Sequence, residues 1–202
     1  TQGQDERLLD FSQLRQLTRS FLGLYETHAG RPFPQDAREQ LSGAIEAVFA
    51  SWNADKAVQY RRIHQIDHDM GTAVILQRMV FGNTGGHSGA GVGFTRDPST
   101  GEPRLWVDFL ANAQGEDVVS GRRNAHGHAT LAAVAPEAWK QLQASAQALE
   151  QHFQDMEDFE FTVQDGVLHM LQTRSGKRTP LAAARIALDL LDEGLIDSAE
   201  AL

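Results

Sequence analysis

Residues 160–174 read EFTVQDGVLHMLQTR, in which two β-prone runs flank the turn signal Gln164-Asp165-Gly166. This pattern predicts a β-hairpin. If the loop comprises these three residues, Glu160 and Gln172 become diagonal neighbours on one side of the hairpin. Most of the apolar side chains then collect on the other side, where they can pack against a helix.

In this register the polar side of the hairpin carries two carboxylates, an amide and a guanidinium beside two apolar side chains: Asp158, Glu160, Gln172, Arg174, Leu168 and Met170. Oxygen ligands suit Mg²⁺, and a guanidinium suits phosphate oxygens. Leu168 and Met170 could pack against the face of a purine base. The combination predicts a nucleoside triphosphate site. Two alternatives stay open. A two-residue loop places Glu160 and Gln172 on opposite faces, and the hairpin can also be a plain polar edge with an ordinary ion pair.

Bulk composition excludes several classes of function. The chain has 202 residues, of which 41% are hydrophobic and 22% charged, as in ordinary soluble globular domains. Its formal charge of −9 argues against a nucleic-acid partner or an anionic membrane surface. The sequence has no cysteine, so disulfide and thiolate chemistry are excluded. It also has no apolar run long enough to span a bilayer.

The order of predicted elements gives the fold class. Apolar residues at helical spacing predict three helices in the first third of the chain. Residues 72–81, TAVILQRMVF, predict a strand that is covered on both faces. The remaining predicted elements are strands at 92–95 and 105–110, a long amphipathic helix at 136–157, the hairpin, and a last helix at 181–191. Helices that precede and interrupt an apparently antiparallel sheet indicate an α+β fold.

Two further stretches could contribute chemistry. Residues 82–94, GNTGGHSGAGVGF, contain six glycines, and glycine allows backbone N–H groups to approach phosphate oxygens. The spacing matches no phosphate-binding motif, which favours a mobile hairpin loop. Residues 115–121, GEDVVSG, place Glu116 and Asp117 before a short apolar run. Those carboxylates can equally well cap a helix.

Four long motifs carry a resemblance. They are FPQDAREQLSGAIEAVFASWN (33–53), MVFGNTGGHSGAGVGFTRDPSTGE (79–102), FLANAQGEDVVSG (109–121) and DFEFTVQDGVLHMLQTRSGKRT (158–179). In collinear order, from about Phe11 to the C-terminus, they resemble the ATP-grasp nucleotide-binding part of the pyruvate, phosphate dikinase family. The resemblance implies an ATP-grasp-like subdomain at 70–202, a mostly antiparallel sheet with packed helices, preceded by a small helical segment at 1–69.

The resemblance also implies an activity. In the family, Mg-ATP gives its β,γ-pyrophosphoryl unit to a histidine on a separate domain. Phosphate takes the γ-phosphate, and pyruvate bound to a barrel domain takes the remaining phosphoryl group. The net reaction converts ATP, phosphate and pyruvate into AMP, diphosphate and phosphoenolpyruvate. A cytoplasmic location and a homodimeric parent enzyme are implied as well.

Residue by residue, the motifs imply the following site. Glu160 and Gln172 match the Mg²⁺ ligands, with Asp158 in support. Arg174 matches the clamp on the transferring phosphates, and Glu116 and Asp117 match the acidic pair near the nucleotide. The backbone around Gln77, Met79 and Val80 matches the segment that meets the adenine edge, with Met170 beside it. Catalytic roles fall to Arg174 and Glu116.

Departures and absences qualify the resemblance. Asp108 stands where the family pattern has Glu, and Gly86-His87 replaces more polar residues. We expect a subdomain-sized fragment without the N-terminal ATP-grasp portion, the phosphohistidine domain and the pyruvate-binding barrel, and therefore no complete turnover by this chain alone. Two alternatives are a dikinase of the phosphoenolpyruvate synthase type, and a degenerate module that binds a nucleotide or a partner protein.

Overall fold

The computed structural model describes residues 9–119 and 126–201. Contacts within the chain divide it into two compact units, with the boundary between Gln77 and Arg78. None of the helices in the described ranges is both long and apolar enough to cross a bilayer. The division into functional parts at 1–69 and 70–202 stays a prediction.

The first unit contains three helices, α1 (Phe11–Ala29), α2 (Ala37–Ser51) and α3 (Asp55–Ile63). Helix α1 begins with a capping box between Asp10 and Gln13, because each side chain accepts the backbone N–H of the other residue. Arg61 of α3 is buried. Its guanidinium lies 3.8 Å from the centre of the Trp52 ring and donates a 2.6 Å hydrogen bond to the Trp52 carbonyl oxygen.

The strand predicted at 72–81 is wrong, because these residues have no regular secondary structure. Their apolar side chains are largely exposed, Ile75 at 85% and Leu76 at 72%. β-branched and apolar residues favour a strand, but a strand also requires a hydrogen-bonding partner, and no described strand pairs with this segment. High β-propensity therefore led to an element that the tertiary structure does not form.

In its described residues, the second unit contains a five-stranded, fully antiparallel sheet with the strand order β3-β2-β1-β4-β5. The strands are β1 (Gly89–Phe94), β2 (Trp106–Ala111), β3 (His126–Gly127), β4 (Glu157–Gln164) and β5 (Val167–Ser175). The helices are α4 (Gly115–Val119), α5 (His128–Val134), α6 (Pro136–Phe153) and α7 (Pro180–Asp192). The predicted α+β class is confirmed.

One face of the sheet forms the core. Helices α5 and α6 cover it with a cluster of fully buried side chains from both layers: Phe109, Leu131, Ala138, Leu142, Phe159, Phe161 and Val163. The glycine-rich stretch belongs to this core and is not a mobile loop throughout, since Gly89, Gly91 and Gly93 lie in β1. A Cβ atom at these positions would approach a phenylalanine ring to within 2.2–2.6 Å. The three glycines therefore make room for the rings.

An ion pair joins the segment that precedes β4 to the segment that follows β5. The guanidinium of Arg178 donates to both carboxylate oxygens of Asp155. Burial is the largest single influence on the pKa of Asp155 and acts to raise it. The hydrogen bonds from Arg178, from the Met156 N–H and from Ser175 outweigh burial, so the pKa of Asp155 lies below its ordinary value.

We expect the Asp155→Asn variant to be less stable than the wild type at pH 7. The stability from a carboxyl with a lowered folded-state pKa is present above its unfolded pKa of about 3.9 and is lost as pH falls through the folded value. The difference between the two proteins in free energy of unfolding should therefore shrink below pH ~4. Urea denaturation at pH 7 and pH 3 measures it, and a difference independent of pH would contradict the expectation.

Candidate functional site

The hairpin between β4 and β5 closes through a two-residue turn. Asp165 and Gly166 have φ angles of 51° and 82°, and Gln164 pairs with Val167 on either side of them. Positive φ at both central residues is typical of the tight turns that suit the twist of a hairpin. The predicted three-residue loop is therefore wrong.

A β-bulge in β5 corrects the register further along. Phe161 pairs with Met170, whereas Glu160 pairs with Gln172, so Leu171 is the extra residue. Glu160 and Gln172 are thus direct partners on the same side of the sheet, with Cβ atoms about 4.5–5.5 Å apart. A two-residue turn alone would have put them on opposite faces. The predicted proximity holds, although the bulge produces it.

The next pair along the hairpin is Asp158 and Arg174. Arg174 Nε donates a 2.9 Å hydrogen bond to Asp158 Oδ2, and this bond is the main reason why the pKa of Arg174 is raised. The Asp158 side chain is 11% exposed and the Arg174 side chain 57% exposed. The buried carboxylate therefore fixes the base of the guanidinium, whose outer face remains open to an anion.

The same bulge overturns the predicted position of Met170. Together with Leu168, Met170 packs against the core cluster beneath α6. Its cross-strand partner Phe161 is also a core residue, so Met170 faces away from Glu160 and Gln172. The prediction that Leu168 and Met170 floor a purine beside the acidic pair is wrong.

The side chains of the sheet that point away from α5 and α6 form what we call the open face. One row crosses four strands in the order Asp108, Val92, Glu160, Gln172. In the neighbouring row on one side, Phe94 packs against the cluster of Met156, Ala182, Ile186 and Leu190, which involves α7. In the neighbouring row on the other side, Ala90, Leu110 and Thr162 are buried. Helix α4 contacts β1, β2 and β4, and we infer that it covers these three residues.

Glu116 and Asp117 lie on α4, which we infer to cover the side of the sheet that carries Glu160. Glu116 is exposed, whereas Asp117 is half-buried. The Asp117 carboxylate accepts a 3.0 Å hydrogen bond from the Gln114 N–H and thereby closes the first turn of the helix. Asp117 thus has the capping role that the sequence left open, and Glu116 is the member of the pair that is available to a ligand. The end of the GEDVVSG motif lies outside the described residues.

The predicted adenine segment lies in the irregular stretch. Gln77 and Met79 are exposed and Val80 is half-buried. Directly after them, the Phe81 N–H donates a 2.8 Å hydrogen bond to the side-chain oxygen of Gln164 at the hairpin tip. The Thr84 hydroxyl donates to Asp165 in the turn. The chain at Phe81 is therefore attached to the open face at the tip of the hairpin.

The residues present fit a Mg²⁺ ion that is shared with phosphates. Glu160 and Gln172 offer a carboxylate and an amide oxygen, and neither side chain is hydrogen-bonded to another described residue. In the described ranges no cluster of three or more His, Asp or Glu side chains could hold a metal by itself. Mg²⁺ is commonly bound by one or two carboxylates plus substrate phosphates, which matches an incomplete protein ligand set.

Comparison with known proteins decides the family. The model of the protein family described as "Pyruvate phosphate dikinase, AMP/ATP-binding domain" matches residues 15–131 of this chain. The chain belongs to this family. It is 49% identical over 195 residues to pyruvate, phosphate dikinase of Clostridium symbiosum, covering 96% of this chain and 22% of that protein. It is 49% identical over 194 residues to the chloroplastic enzyme of Mesembryanthemum crystallinum, covering 96% and 20%. The chain spans about a fifth of the length of the curated relatives that it matches.

Sequence reasoning missed two residues of the open face. His169 pairs with Thr162, one row from Glu160 and Gln172, and Val167 pairs with Gln164 at the tip. The three-residue loop had assigned Val167 to the core side and had given His169 no role. The signal that could have found His169 is the pattern LHMLQ, in which this polar residue stands between the apolar Leu168 and Met170 before Leu171 interrupts the period.

Proposed function

We propose that this chain binds Mg-ATP for pyrophosphoryl transfer to a histidine on another domain, as part of a dikinase that forms phosphoenolpyruvate. The observation that carries the proposal is the direct pairing of Glu160 with Gln172, next to an arginine that Asp158 holds from behind. Oxygen ligands and a fixed guanidinium side by side are what a polyphosphate chain requires. Membership of an AMP/ATP-binding family supports the same ligand.

The proposed step involves little covalent chemistry by this chain. A bond forms between the acceptor imidazole nitrogen and the β-phosphorus, and the bond from that phosphorus to the oxygen shared with the α-phosphate breaks. The electron pair stays on AMP and the imidazole proton goes to solvent. A bound Mg²⁺ would neutralise the charge on the phosphate oxygens. Glu160 and Gln172 would orient it, and Arg174 would stabilise the charge on the transferring group.

The remaining parts of the proposal concern the whole protein. We propose that turnover requires the phosphohistidine and pyruvate-binding domains that the family's reaction uses, together with the rest of the ATP-grasp domain, and that the parent enzyme is a homodimer. The cytoplasmic location also stays a proposal. Glu116 is proposed to act near the phosphates and the backbone around Met79 and Val80 near adenine, because both lie beside or lead into the open face.

We expect the Glu160→Ala variant to bind Mg-ATP at least about tenfold more weakly than the wild type, since even outer-shell partners of a metal site are typically worth 10–100-fold. The wild type should also bind ATP more weakly when EDTA removes the metal, and Glu160→Ala should abolish that difference. NMR titration of the 202-residue chain with ATP, with and without Mg²⁺, measures both effects.

The matched control is Glu137→Ala on α6, whose side chain is 73% exposed and lies in an element on the core side of the sheet. It should bind Mg-ATP like the wild type. Equal binding of ATP with and without Mg²⁺ by the wild type would favour the degenerate nucleotide-binding module. Unchanged binding by Glu160→Ala would reject the assigned metal ligand.

A further inference from the structure

The open face of the hairpin orders its side chains in four successive rows. From the tip these rows are Gln164 with Val167, Thr162 with His169, Glu160 with Gln172, and Asp158 with Arg174. Alternate residues of β4 are about 6.7 Å apart, so each row is one step along the strand. The row of His169 lies between the tip, where Phe81 is attached, and the proposed metal pair.

If the proposed function holds, the order of these four rows determines which way a bound nucleotide lies along the hairpin. Arg174 and the metal pair occupy the polar end, which suits the terminal phosphates. The tip offers Val167, whose side chain is 55% exposed, and the backbone at Phe81 and the residues before it, which suit a base. The group of ATP between the metal-bound phosphates and the base is the α-phosphate with its ribose.

His169 is available for that group. Its ring is half-buried on the open face and makes no hydrogen bond to another described residue. Its partner Thr162 is buried, whereas His169 lies on the edge strand β5. The other titratable side chains of this face are carboxylates, apart from one guanidinium: Asp108, Glu116, Asp117, Asp158, Glu160 and Arg174. Since the Thr162 hydroxyl is buried, the imidazole N–H of His169 is the accessible side-chain donor of the row next to the metal pair on its tip side.

We propose that His169 donates a hydrogen bond to the α-phosphate of the bound nucleotide, and that the base lies towards Val167 at the hairpin tip. This inference rests on the proposed function and adds to it a contact and a direction. In the proposed transfer the α-phosphate is the part of AMP that gains negative charge as the bond to the β-phosphorus breaks. A donor at this point stabilises the leaving group.

The test compares three ligands, adenosine, AMP and Mg-ATP, by NMR titration of the 202-residue chain. We expect His169→Leu to weaken AMP and Mg-ATP by the same factor, about tenfold, because a hydrogen bond to a charged group is lost. Adenosine, which has no phosphate, should bind as it does to the wild type. His169→Gln, whose amide can donate, should recover part of the loss. His152→Leu, at an exposed position of α6, is the matched control.

The outcomes separate this inference from the function on which it rests. Glu160→Ala should weaken Mg-ATP but leave AMP unchanged, because AMP lacks the β- and γ-phosphates, whereas His169→Leu should weaken both. Full AMP binding by His169→Leu, or an equal loss for adenosine, would overturn the role of His169 and leave the metal pair standing. A wild-type chain that binds neither AMP nor Mg-ATP would overturn both proposals.

Discussion

Replacing Arg96 with methionine is expected to lower the free energy of unfolding by about 3–5 kcal/mol, the usual cost of removing one partner from a buried ion pair. Arg96 is 1% exposed. Its Nε and Nη2 donate to the two carboxylate oxygens of Glu150 at 3.0 and 2.8 Å, and Nη2 also donates to Glu193 at 2.8 Å. The Glu150 side chain is 15% exposed, so methionine at position 96 leaves a poorly hydrated carboxylate without its cation.

The position of Arg96 explains why this ion pair affects the whole second unit. Arg96 follows β1, Glu150 lies near the end of α6, and Glu193 follows α7. The guanidinium therefore holds together the sheet, the helix on the core face and the last helix. Asp189 of α7 adds a carboxylate oxygen 3.7 Å from Nη1, which has no hydrogen bond in the described structure.

Chemical denaturation of two further variants provides the controls for Arg96→Met. Arg104→Met removes an arginine that is 67% exposed and lies 3.5 Å from Asp97, and an ion pair with one partner in solvent is worth about 1 kcal/mol or less. The double variant Arg96→Met, Glu150→Leu removes the uncompensated charge as well and should recover most of the lost stability. If Arg96→Met costs no more than Arg104→Met, the buried ion pair does not stabilise the fold.

The hairpin shows how far the sequence can predict the site. Period-two alternation and the residues of the turn were enough to place a hairpin at 160–174. The turn length and the bulge at Leu171 were not predictable, because each changes the register by one residue and the apolar pattern tolerates both. The errors in turn length and in the bulge cancelled each other for Glu160 and Gln172, because Gln172 lies beyond the bulge. They did not cancel for Met170 and His169, which lie between the turn and the bulge.

Long-range partners account for the other differences. Residues 72–81 have high β-propensity, yet strand formation depends on a partner that local sequence does not reveal. Arg96 and Glu150 are 54 residues apart, so no local pattern could join them. The family resemblance named Glu116 and Asp117 together, whereas the structure separates a capping carboxylate from an exposed one. The positions of the long helices α1, α2, α6 and α7, in contrast, followed from periodicity because their determinants are local, whereas the short helix α5 was not predicted.

Replacing Gly91 with alanine is expected to destabilise the protein by about 1–3 kcal/mol, the typical cost of overfilling a well-packed core. A Cβ atom at Gly91 would lie 2.4 Å from Phe161 Cζ and 2.7 Å from the backbone oxygen of Asp108, so neither the ring nor β2 can stay in place.

Gly86→Ala is the matched control, because nothing lies within 4 Å of its Cβ position. It should be neutral or slightly stabilising, since alanine restricts the unfolded chain. Phe161→Leu in the Gly91→Ala background should recover part of the loss measured by urea denaturation, because it removes the ring but not the contact with the Asp108 oxygen. Equal stability of the two alanine variants would show that β1 needs no glycine opposite the rings.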